Sequence, residues 1–335
     1  AVRTVGYMPD DPERSDVPNA HDGLFRLVFG QPVHAASMLR AVLPAALTAR
    51  LDLDRLRTVN GSFVNTELRW RHTDVLHSTY LDGHPALVYV LIEHQSTPDP
   101  LMPWRMLRYL VRIWERYLGE HPKAVRLPLV IPVVVHEGGR AWPAPVELSE
   151  LIDVDPVTAA AAAEFVPRFR FLLEDLAGTD PAELRAELSA RPLTPIAMVS
   201  LYVLQSAPRS ADVAEELEQV LDTLHAVLRS PGGTEALRAM LTYIHGVSET
   251  PSERLRQVMA RLGPEAEEVY VTTADTLRAE GRAEGRAEML VQQLTLKFGP
   301  LPDGVRVVLR EASMDQLVLW TGRVLTATSL DDVFA

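Results

Sequence analysis

Three residues, Asp74, Glu93 and Gln95, have types and spacing that point to chemistry. Asp74 opens one strand-like run, and Glu93 and Gln95 close the next one. Carboxylates that face each other at a strand end repel and lose solvation, so they usually need a cation or a proton. Their oxygens suit hard divalent ions, and the backbone carbonyl of His94 offers one more oxygen ligand. We therefore expect Asp74, Glu93 and the His94 carbonyl to bind Mg²⁺ or Mn²⁺.

A metal site of this kind would suit the hydrolysis of phosphodiesters. The ion would activate a water molecule and neutralise charge on the scissile phosphate. Gln95 occupies the position where a lysine would often hold that water. An amide can orient the water, but it cannot supply a positive charge or change its protonation state. The alternative interpretation is a surface hairpin with scattered acids.

The two strand-like runs are predicted to form a β-hairpin around residues 82–85. A two-residue turn at 83–84 suits a hairpin, because glycine at the first central position tolerates positive φ, and it sets Asp74 directly opposite Glu93. A turn centred on 82–83 shifts the pairing by two residues and still leaves both acids on one sheet face. The glutamine shares that face, since side chains two apart in a strand point the same way.

A helix rich in arginine is predicted after the hairpin, with Pro103 in its first turn and its end near Leu118. Four arginines, spaced 3, 4 and 4 residues apart, fall on one face of this helix; they are Arg105, Arg108, Arg112 and Arg116. Such a stripe can hold phosphates by charge and hydrogen bonds. We expect the first three to contact DNA. The alternative is a solvated face that Glu115 partly neutralises.

The composition of the 335 residues limits the class of protein. Apolar residues make up 47% of the chain, which supports a large buried core. No run approaches the roughly 18 apolar residues that a membrane span requires. With no cysteine, disulfides and thiolate zinc sites are excluded. Residues 1–19 contain no apolar signal-peptide segment. Together these features predict a cytoplasmic protein without a membrane partner.

The net charge of −12 is unevenly distributed along the chain. Residues 19–145 hold 14 basic and 11 acidic residues, whereas the rest of the chain holds 19 basic and 34 acidic residues. This asymmetry is compatible with a nucleic-acid-facing domain joined to an acidic one. The excess is small, so chance variation in composition is the alternative.

The order of predicted elements in the first part is helix, strand, hairpin, helix and strand. The last strand, residues 127–136, is almost continuously apolar, which predicts burial on both faces, although Pro132 would demand an edge position or a bulge. This order favours an α/β layer with a small mixed sheet. Beyond Pro145 the chain reads as a series of helices with little strand signal. We therefore predict a mainly α-helical C-terminal half.

A short repeat of Arg-Ala-Glu-Gly occupies residues 278–288. The four-residue period places each residue type on its own helical stripe, and glycines at i and i+4 leave a thin surface that another helix could approach. One interpretation is therefore self-association through the C-terminal helices, which would form a homo-oligomer. The other is a solvated charged helix that tolerates a cost of roughly 1 kcal/mol per glycine.

Several segments together resemble a known family, that of the recombination-promoting nucleases (Rpn) and related transposases, within the PD-(D/E)xK nuclease superfamily. The segments are His21-Asp22-Gly23-Leu24-Phe25-Arg26, Thr73-Asp74-Val75-Leu76, Leu91-Ile92-Glu93-His94-Gln95-Ser96 and the stretch from Met102 to Tyr109. The resemblance covers residues 19–145 well, the repeat loosely and the helices between them weakly. Each motif alone is weak, but the ordered set is specific.

The resemblance implies a restriction-endonuclease-like core, a mixed sheet flanked by helices, that cleaves DNA with a metal ion and promotes recombination. Asp74 matches the first acidic motif, and Glu93 with Gln95 matches the second. Two departures are visible: no proline precedes Asp74, and Gln95 replaces the usual lysine. A catalytically degenerate, DNA-binding member of the family is therefore an alternative to an active nuclease.

This interpretation predicts that the chain is divided into four parts. They are an N-terminal tail (1–18), a PD-(D/E)xK nuclease-like domain (19–145), a helical domain (146–262) and a C-terminal helical extension with the repeat (263–335). The leading hypothesis is a Mg²⁺-dependent DNA endonuclease that promotes recombination. A link to mobile elements is one option within this hypothesis. The rivals are a non-catalytic interaction protein assembled through its helical half and a nuclease that acts on RNA.

Overall fold

The computed structural model of the chain describes residues 20–59, 75–93 and 99–335. The chain divides into two compact units, Ala1–Leu262 and Gly263–Ala335. The domain boundary at residue 145 stays a prediction. Among the described residues, no helix combines the length and the apolar character needed to cross a membrane.

A mixed sheet forms the centre of the first unit. In the described residues it has five strands in the order β1-β2-β3-β4-β5. The strands are Arg57–Thr58 (β1), Val75–Leu81 (β2), His84–Glu93 (β3), Leu129–His136 (β4) and Leu172–Asp175 (β5). The pairs β1–β2 and β2–β3 are antiparallel, whereas β3–β4 and β4–β5 are parallel. The predicted α/β core with a mixed sheet is confirmed.

The hairpin of β2 and β3 turns at Asp82 and Gly83, with Leu81 paired to His84. Both turn residues have positive φ, 49° and 82°, as a tight turn between twisted strands requires. The turn predicted at residues 83–84 is therefore wrong, and so is the pairing that set Asp74 opposite Glu93. The observed register is the alternative one, centred on residues 82–83.

Helices surround the sheet in the first unit. They are α1 (Ala20–Phe29), α2 (Pro32–Val42), α3 (Ala45–Thr48), α4 (Met102–Glu120), α5 (Pro156–Ala162), α6 (Pro181–Ala190), α7 (Pro195–Ser206), α8 (Val213–Glu218), α9 (Leu221–Leu228), α10 (Gly233–Val247) and α11 (Ser252–Leu262). Short 3-10 turns occur at Leu53–Arg55 and Leu148–Leu151. Several helices begin with a capping carboxylate or hydroxyl followed by proline, as at Asp155, Asp180 and Thr194.

Helix α4 covers one face of the sheet. Its buried residues Met102, Met106 and Ile113 share a hydrophobic cluster with Tyr89 of β3 and Val134 of β4. The spacing of these helical residues places them on one side of α4, which leaves its charged residues on the other. The helix also serves as the crossover between the parallel strands β3 and β4.

Helix α1 packs against α2, α7 and α10. On β2, the buried His77 hydrogen-bonds through Nε2 to the carbonyl of Phe29 at 3.0 Å. Helix α7 is buried along its length from Ile196 to Ser206. The helical half that follows the sheet therefore shares a core with the N-terminal helix.

Strand β4 is buried from Val130 to His136, as its apolar run predicts. Pro132 pairs with Tyr89 of β3, and pairing with β5 begins one residue later, at Val133. The proline therefore precedes the stretch of β4 that has strands on both sides. The expectation of little strand after residue 136 missed β5, which extends the sheet by Leu172–Asp175.

The second unit is helical and has its own core. Its helices are α12 (Pro264–Phe298), α13 (Asp303–Glu311), α14 (Met314–Val324) and α15 (Leu330–Phe334). Leu290, Leu294, Leu309 and Trp320 are among the buried residues of this core. The predicted helical C-terminal half is confirmed. The repeat lies within α12.

Candidate active site at the carboxyl edge of the sheet

Four of the described strands have an end at one edge of the sheet. Strands β3, β4 and β5 are parallel and end there at Glu93, His136 and Asp175, and the antiparallel β2 begins there at Val75. We call this the carboxyl edge. Open α/β sheets bind ligands outside the carboxyl ends of their strands, because the loops that follow them diverge.

In the sequence, the predicted metal ligands lie at or directly beside the ends of β2 and β3. Asp74, His94 and Gln95 lie outside the described residues. Glu93 is the last residue of β3, and its register partner in β4 is His136. Val75, which follows Asp74 in the sequence, pairs with Val90 of β3. The assignment of Asp74, Glu93, Gln95 and the His94 carbonyl as site residues stays a prediction.

The predicted DNA-binding arginines lie along α4. Arg105, in its first turn, donates through Nε to the hydroxyl of Tyr109 at 3.3 Å, and its guanidinium lies 5.8 Å from the centroid of that ring. Arg112 pairs with Glu115 at 3.1 Å between two exposed side chains. Exposed pairs of this kind are weak, so the Arg112 charge remains accessible to an anion. Arg108 is half-buried on the same helix.

The buried His136 pairs with the partly exposed Asp175 at the carboxyl edge. The His136 ring is fully buried, and its Nδ1 lies 2.8 Å from Oδ1 of Asp175. The same carboxylate accepts hydrogen bonds from the backbone N–H groups of Trp142, at 2.7 Å, and Ala177, at 3.1 Å. Three donors thus fix Asp175, which in turn orients the imidazole. Within the described residues, Nε2 of His136 has no hydrogen-bond partner.

A second buried group follows β4. The carboxylate of Glu137 is almost completely buried and pairs with Nδ1 of His21 in α1. Nδ1 of His21 also lies 3.1 Å from the hydroxyl of Tyr243 in α10, which donates to the Leu204 carbonyl at 3.1 Å. Burial raises the pKa of the Glu137 carboxyl, and the adjacent His21 ring lowers it. This group links the sheet to α1 and α10.

Arg209 binds the backbone next to the Glu137 side chain. Its guanidinium donates to the backbone carbonyls of Glu137 and Gly138, immediately after β4. Burial lowers the pKa of Arg209, while the charge of Glu137 opposes this change. The turn after β4 is therefore held by a charged side chain from the helical half of the unit.

The chemistry available at the described part of the edge is limited. It presents one oriented imidazole and two carboxylates that already have partners, the buried Glu137 and the partly exposed Asp175. No group of three or more histidine, aspartate or glutamate side chains in the described part of the chain is arranged to hold a metal ion.

The sequence alone did not indicate this polar network. The pairs in the network join residues 39, 116 and 222 positions apart in the chain. No local spacing could have indicated contacts at such separations.

The family described as "Putative transposase, YhgA-like" matches residues 19–233, more than half of the chain. The chain belongs to this family. The matched residues include the sheet, α4 and the helices up to α9. No solved structure matches the chain.

Three curated relatives illustrate the similarity. The recombination-promoting nuclease RpnC of Escherichia coli (strain K12) is 37% identical over 129 residues, 38% of this chain and 42% of the relative. The recombination-promoting nuclease RpnD of Escherichia coli O157:H7 is 39% identical over 140 residues, 42% of this chain and 53% of the relative. In both cases the match spans about half of the relative's length or less.

A third relative matches over a longer stretch. The inactive recombination-promoting nuclease-like protein RpnE of Escherichia coli (strain K12) is 26% identical over 280 residues, 83% of this chain and 88% of the relative. The YhgA-like relatives thus include proteins named as nucleases and proteins named as inactive.

Proposed function

We propose that this YhgA-like chain is a metal-dependent DNA endonuclease that promotes recombination. In this proposal Asp74 and Glu93 bind the metal through their carboxylates, and the His94 carbonyl is a third ligand. Gln95 positions the attacking water, and Arg105, Arg108 and Arg112 contact the DNA backbone. Membership of the family and the names of RpnC and RpnD support this function.

The observation that carries the proposal is the arrangement of strands at the carboxyl edge. The start of β2 and the end of β3 meet there, and Val75 pairs with Val90. The two acidic motifs of the sequence are attached to these two strand ends, Asp74 before Val75 and Glu93 at the end of β3. The mixed sheet therefore supports a single site built from both motifs.

The proposed donor set fits a hard divalent ion. Two carboxylates and a backbone carbonyl are all oxygen donors, which Mg²⁺ and Mn²⁺ prefer, and the set leaves positions for water and phosphate. When bound, the ion would supply charge neutralisation at the phosphate and activation of water.

The side chains of the chain itself have separate tasks. The amide of Gln95 can accept a hydrogen bond from a water and donate another, which fixes its direction of attack. The stacking of Arg105 on Tyr109 limits the orientations of its guanidinium, so it can present donors to a phosphate at a lower entropic cost. The half-buried Arg108 and the exposed Arg112, which follow on α4, add charge for the DNA backbone.

A plasmid-nicking assay tests the proposal. The purified chain should nick or cut supercoiled DNA with Mg²⁺ or Mn²⁺ and should stop when the metal is chelated. Asp74→Asn and Glu93→Gln should each reduce the rate at least about a hundredfold, because each removes a charged ligand while keeping the side-chain shape. Asp82→Asn is the matched control, since it removes an equal charge at the opposite end of the same hairpin, where asparagine tolerates the positive φ.

The nicking rates of these variants show whether the proposed metal site is responsible for cleavage. Equal nicking by the wild type and Asp74→Asn would defeat the site. Loss of nicking in Asp82→Asn as well would point to a general loss of folding rather than to metal binding. Parallel digestion of DNA and RNA would decide between the proposed substrate and the RNA alternative.

The rival function is a catalytically degenerate DNA-binding or interaction protein of the same fold. The inactive name of RpnE and the glutamine at position 95 favour this rival. It predicts that DNA binding persists while no metal-dependent nicking occurs at any substrate concentration. A binding assay in the presence of a chelator, run beside the nicking assay, distinguishes the two.

Self-association through the C-terminal helices forms the last part of the proposal. In α12, a Cβ built on Gly281 or Gly285 would meet no described atom within 4 Å apart from the adjacent backbone of its own helix, so this surface is open to a second copy. The arginine and glutamate stripes of the repeat give each copy both signs of charge for such a contact. Sedimentation of the full chain and of a variant lacking residues 278–288 tests it.

A further inference from the structure

A groove with a basic rim lies at the other end of the sheet from the carboxyl edge. It has a volume of about 610 Å³ and lies between strands β1–β3 and the C-terminal half of α4. We call it the arginine groove and define it by Arg55, Arg57, Tyr80, Leu87, Arg116 and Tyr117. Its volume is within the range of roughly 300–1,000 Å³ that small-molecule sites occupy.

The register of the sheet builds one wall of the arginine groove. Arg57 of β1 pairs with Ser78 of β2, and Ser78 pairs with Leu87 of β3. Paired residues in antiparallel strands share a face, so these three form a row on the side covered by α4. Tyr80 lies two residues beyond Ser78 on the same face and nearer the hairpin turn. The row therefore presents a guanidinium, a hydroxyl and an apolar side chain together.

Helix α4 builds the opposite wall. Ile113, Arg116, Tyr117 and Glu120 line the groove, and their spacing places them on one side of the helix. The Tyr117 ring is stacked on the ring of His121, with 4.3 Å between centroids and 20° between planes. This wall combines a flat aromatic surface with a charged rim.

Apolar side chains form the floor of the arginine groove. Leu76 and Ile113 line it and are 5% and 3% exposed, and Leu87 packs beside them. An apolar floor attracts the flat or hydrophobic part of a ligand, because contact removes both surfaces from water. The polar groups remain at the rim.

The charge at the rim is positive. Three guanidinium groups line the groove, whereas Glu120 supplies one carboxylate and is paired with Arg116 at 2.5 Å. Arg55 lies over the Tyr80 ring, 4.5 Å from its centroid, and is 3.9 Å from Asp52. Arg57 is exposed and has no acidic partner within the described residues. Among the described residues, Arg57 therefore gives the rim a positive charge that no carboxylate neutralises.

We infer that the arginine groove binds a nucleotide. The base lies on the apolar floor against Tyr117, and the phosphate is held by Arg57 with Arg55. Aromatic rings stack on bases of any sequence, and guanidinium groups donate paired hydrogen bonds to phosphate oxygens. The ligand is either a free nucleotide or one nucleotide of a single strand. The inference is independent of the proposed catalysis, since it uses no residue of the carboxyl edge.

Binding measured without divalent metal tests the inference. Two probes are used in the presence of a chelator: adenosine monophosphate, by calorimetry, and a fluorescently labelled oligodeoxythymidine of about ten nucleotides, by anisotropy. Arg57→Gln should weaken binding about tenfold, as expected for the loss of one charge-assisted contact to phosphate. Ser78→Phe should weaken it further, because the new ring fills the groove.

The controls separate loss of the groove from loss of folding. Arg126→Gln removes an exposed arginine that does not line the groove and should leave binding unchanged. Asp74→Asn should abolish nicking if the proposed function holds, yet leave nucleotide binding unchanged. Urea unfolding of Arg57→Gln should match the wild type within about 0.5 kcal/mol, as for an exposed position. The same measurement on Ser78→Phe, at a half-buried position, shows whether that variant is folded under the binding conditions.

Each outcome decides the matter. Arg57-dependent binding of the mononucleotide supports a site for a free nucleotide. Arg57-dependent binding of the oligonucleotide alone supports a site for a nucleotide within a strand. Absence of binding to both probes, or binding that neither Arg57→Gln nor Ser78→Phe weakens, overturns the inference.

Discussion

His136 and Asp175 are register partners on the parallel strands β4 and β5, and a 2.8 Å hydrogen bond joins their side chains at the carboxyl edge. The bond places a proton on Nδ1 of the buried imidazole if the ring is neutral, since the carboxylate can only accept. Strand β5, which supplies Asp175, is thus linked to β4, where His136 is the register partner of Glu93 in β3.

Removal of the Asp175 carboxylate should destabilise the first unit. Asp175→Ala would leave the His136 ring and the N–H groups of Trp142 and Ala177 without their acceptor. Because unsatisfied buried donors cost about 1–3 kcal/mol each and part of this carboxylate is exposed, we expect a loss of about 2–3 kcal/mol. Urea unfolding measures it. Asp153→Ala, at an exposed position, should change the unfolding free energy by less than about 0.5 kcal/mol.

The stability of the first unit should fall between neutral pH and about pH 4 because of His77. Burial lowers the pKa of His77 to about 4, although its hydrogen bond to the Phe29 carbonyl opposes this change. In the unfolded chain the ring titrates near 6.5. Between these values the unfolded state binds more protons, so stability decreases as pH decreases, by about 3 kcal/mol in total.

Unfolding of His77→Gln at several pH values tests this origin. The amide keeps a donor for the Phe29 carbonyl but does not titrate, so the variant should have a flatter dependence between pH 6.5 and 4. His84→Gln, at an exposed position of the hairpin, is the control and should keep the wild-type slope. An unchanged slope in His77→Gln would assign the effect to other groups.

Alanine in place of the repeat glycines should stabilise α12 and weaken association. At Gly281 and Gly285 a Cβ meets no described atom within 4 Å beyond the adjacent backbone of α12, and alanine in a helix interior gains roughly 1 kcal/mol per position over glycine. Thermal unfolding of Gly281→Ala/Gly285→Ala should therefore shift upward. Sedimentation should show weaker self-association if a second helix approaches this surface. Equal association with higher stability would exclude the glycine surface as the interface.

The proposed role of Gln95 has a direct test. Gln95→Lys introduces the positive charge that the family motif usually places beside the water. If the proposed site is catalytic, nicking with Mg²⁺ should increase by at least about tenfold, within the range that a positioned acid or base contributes. A Gln95→Arg variant supplies the same charge with a different shape and serves as the comparison. No increase with lysine would favour the degenerate form of the family.

Much of the first unit follows from local sequence. The apolar run over residues 127–136 predicts β4, and the break at residues 82–85 predicts the hairpin. The choice of turn was also in the sequence, because Asp-Gly is the pair that best accepts positive φ at two successive positions. Weighting that pair over Gly83 and His84 would have given the observed register.

Other features depend on distant parts of the chain and leave no local signal. Strand β5 has only four residues, Leu-Leu-Glu-Asp, all half-buried, so it shows neither alternation nor an apolar run. Burial of Glu137 depends on His21, which lies 116 positions away. The candidate metal ligands remain predictions from the sequence and the family resemblance. The arginine groove could not be predicted locally, because it depends on the pairing of Arg57, Ser78 and Leu87 across three strands.

The packing of α1 against α10 has a consequence for synthesis of the chain. Roughly 200 residues separate the two helices, and at roughly 5–20 residues per second a ribosome needs about 10–40 s to make them. During this interval the apolar side of α1, including Phe25 and Phe29, has no α10 to cover it. Although α1 precedes the other described helices in the chain, it is therefore among the last of the first unit to complete its packing, and chaperones have a long opportunity to act on this segment.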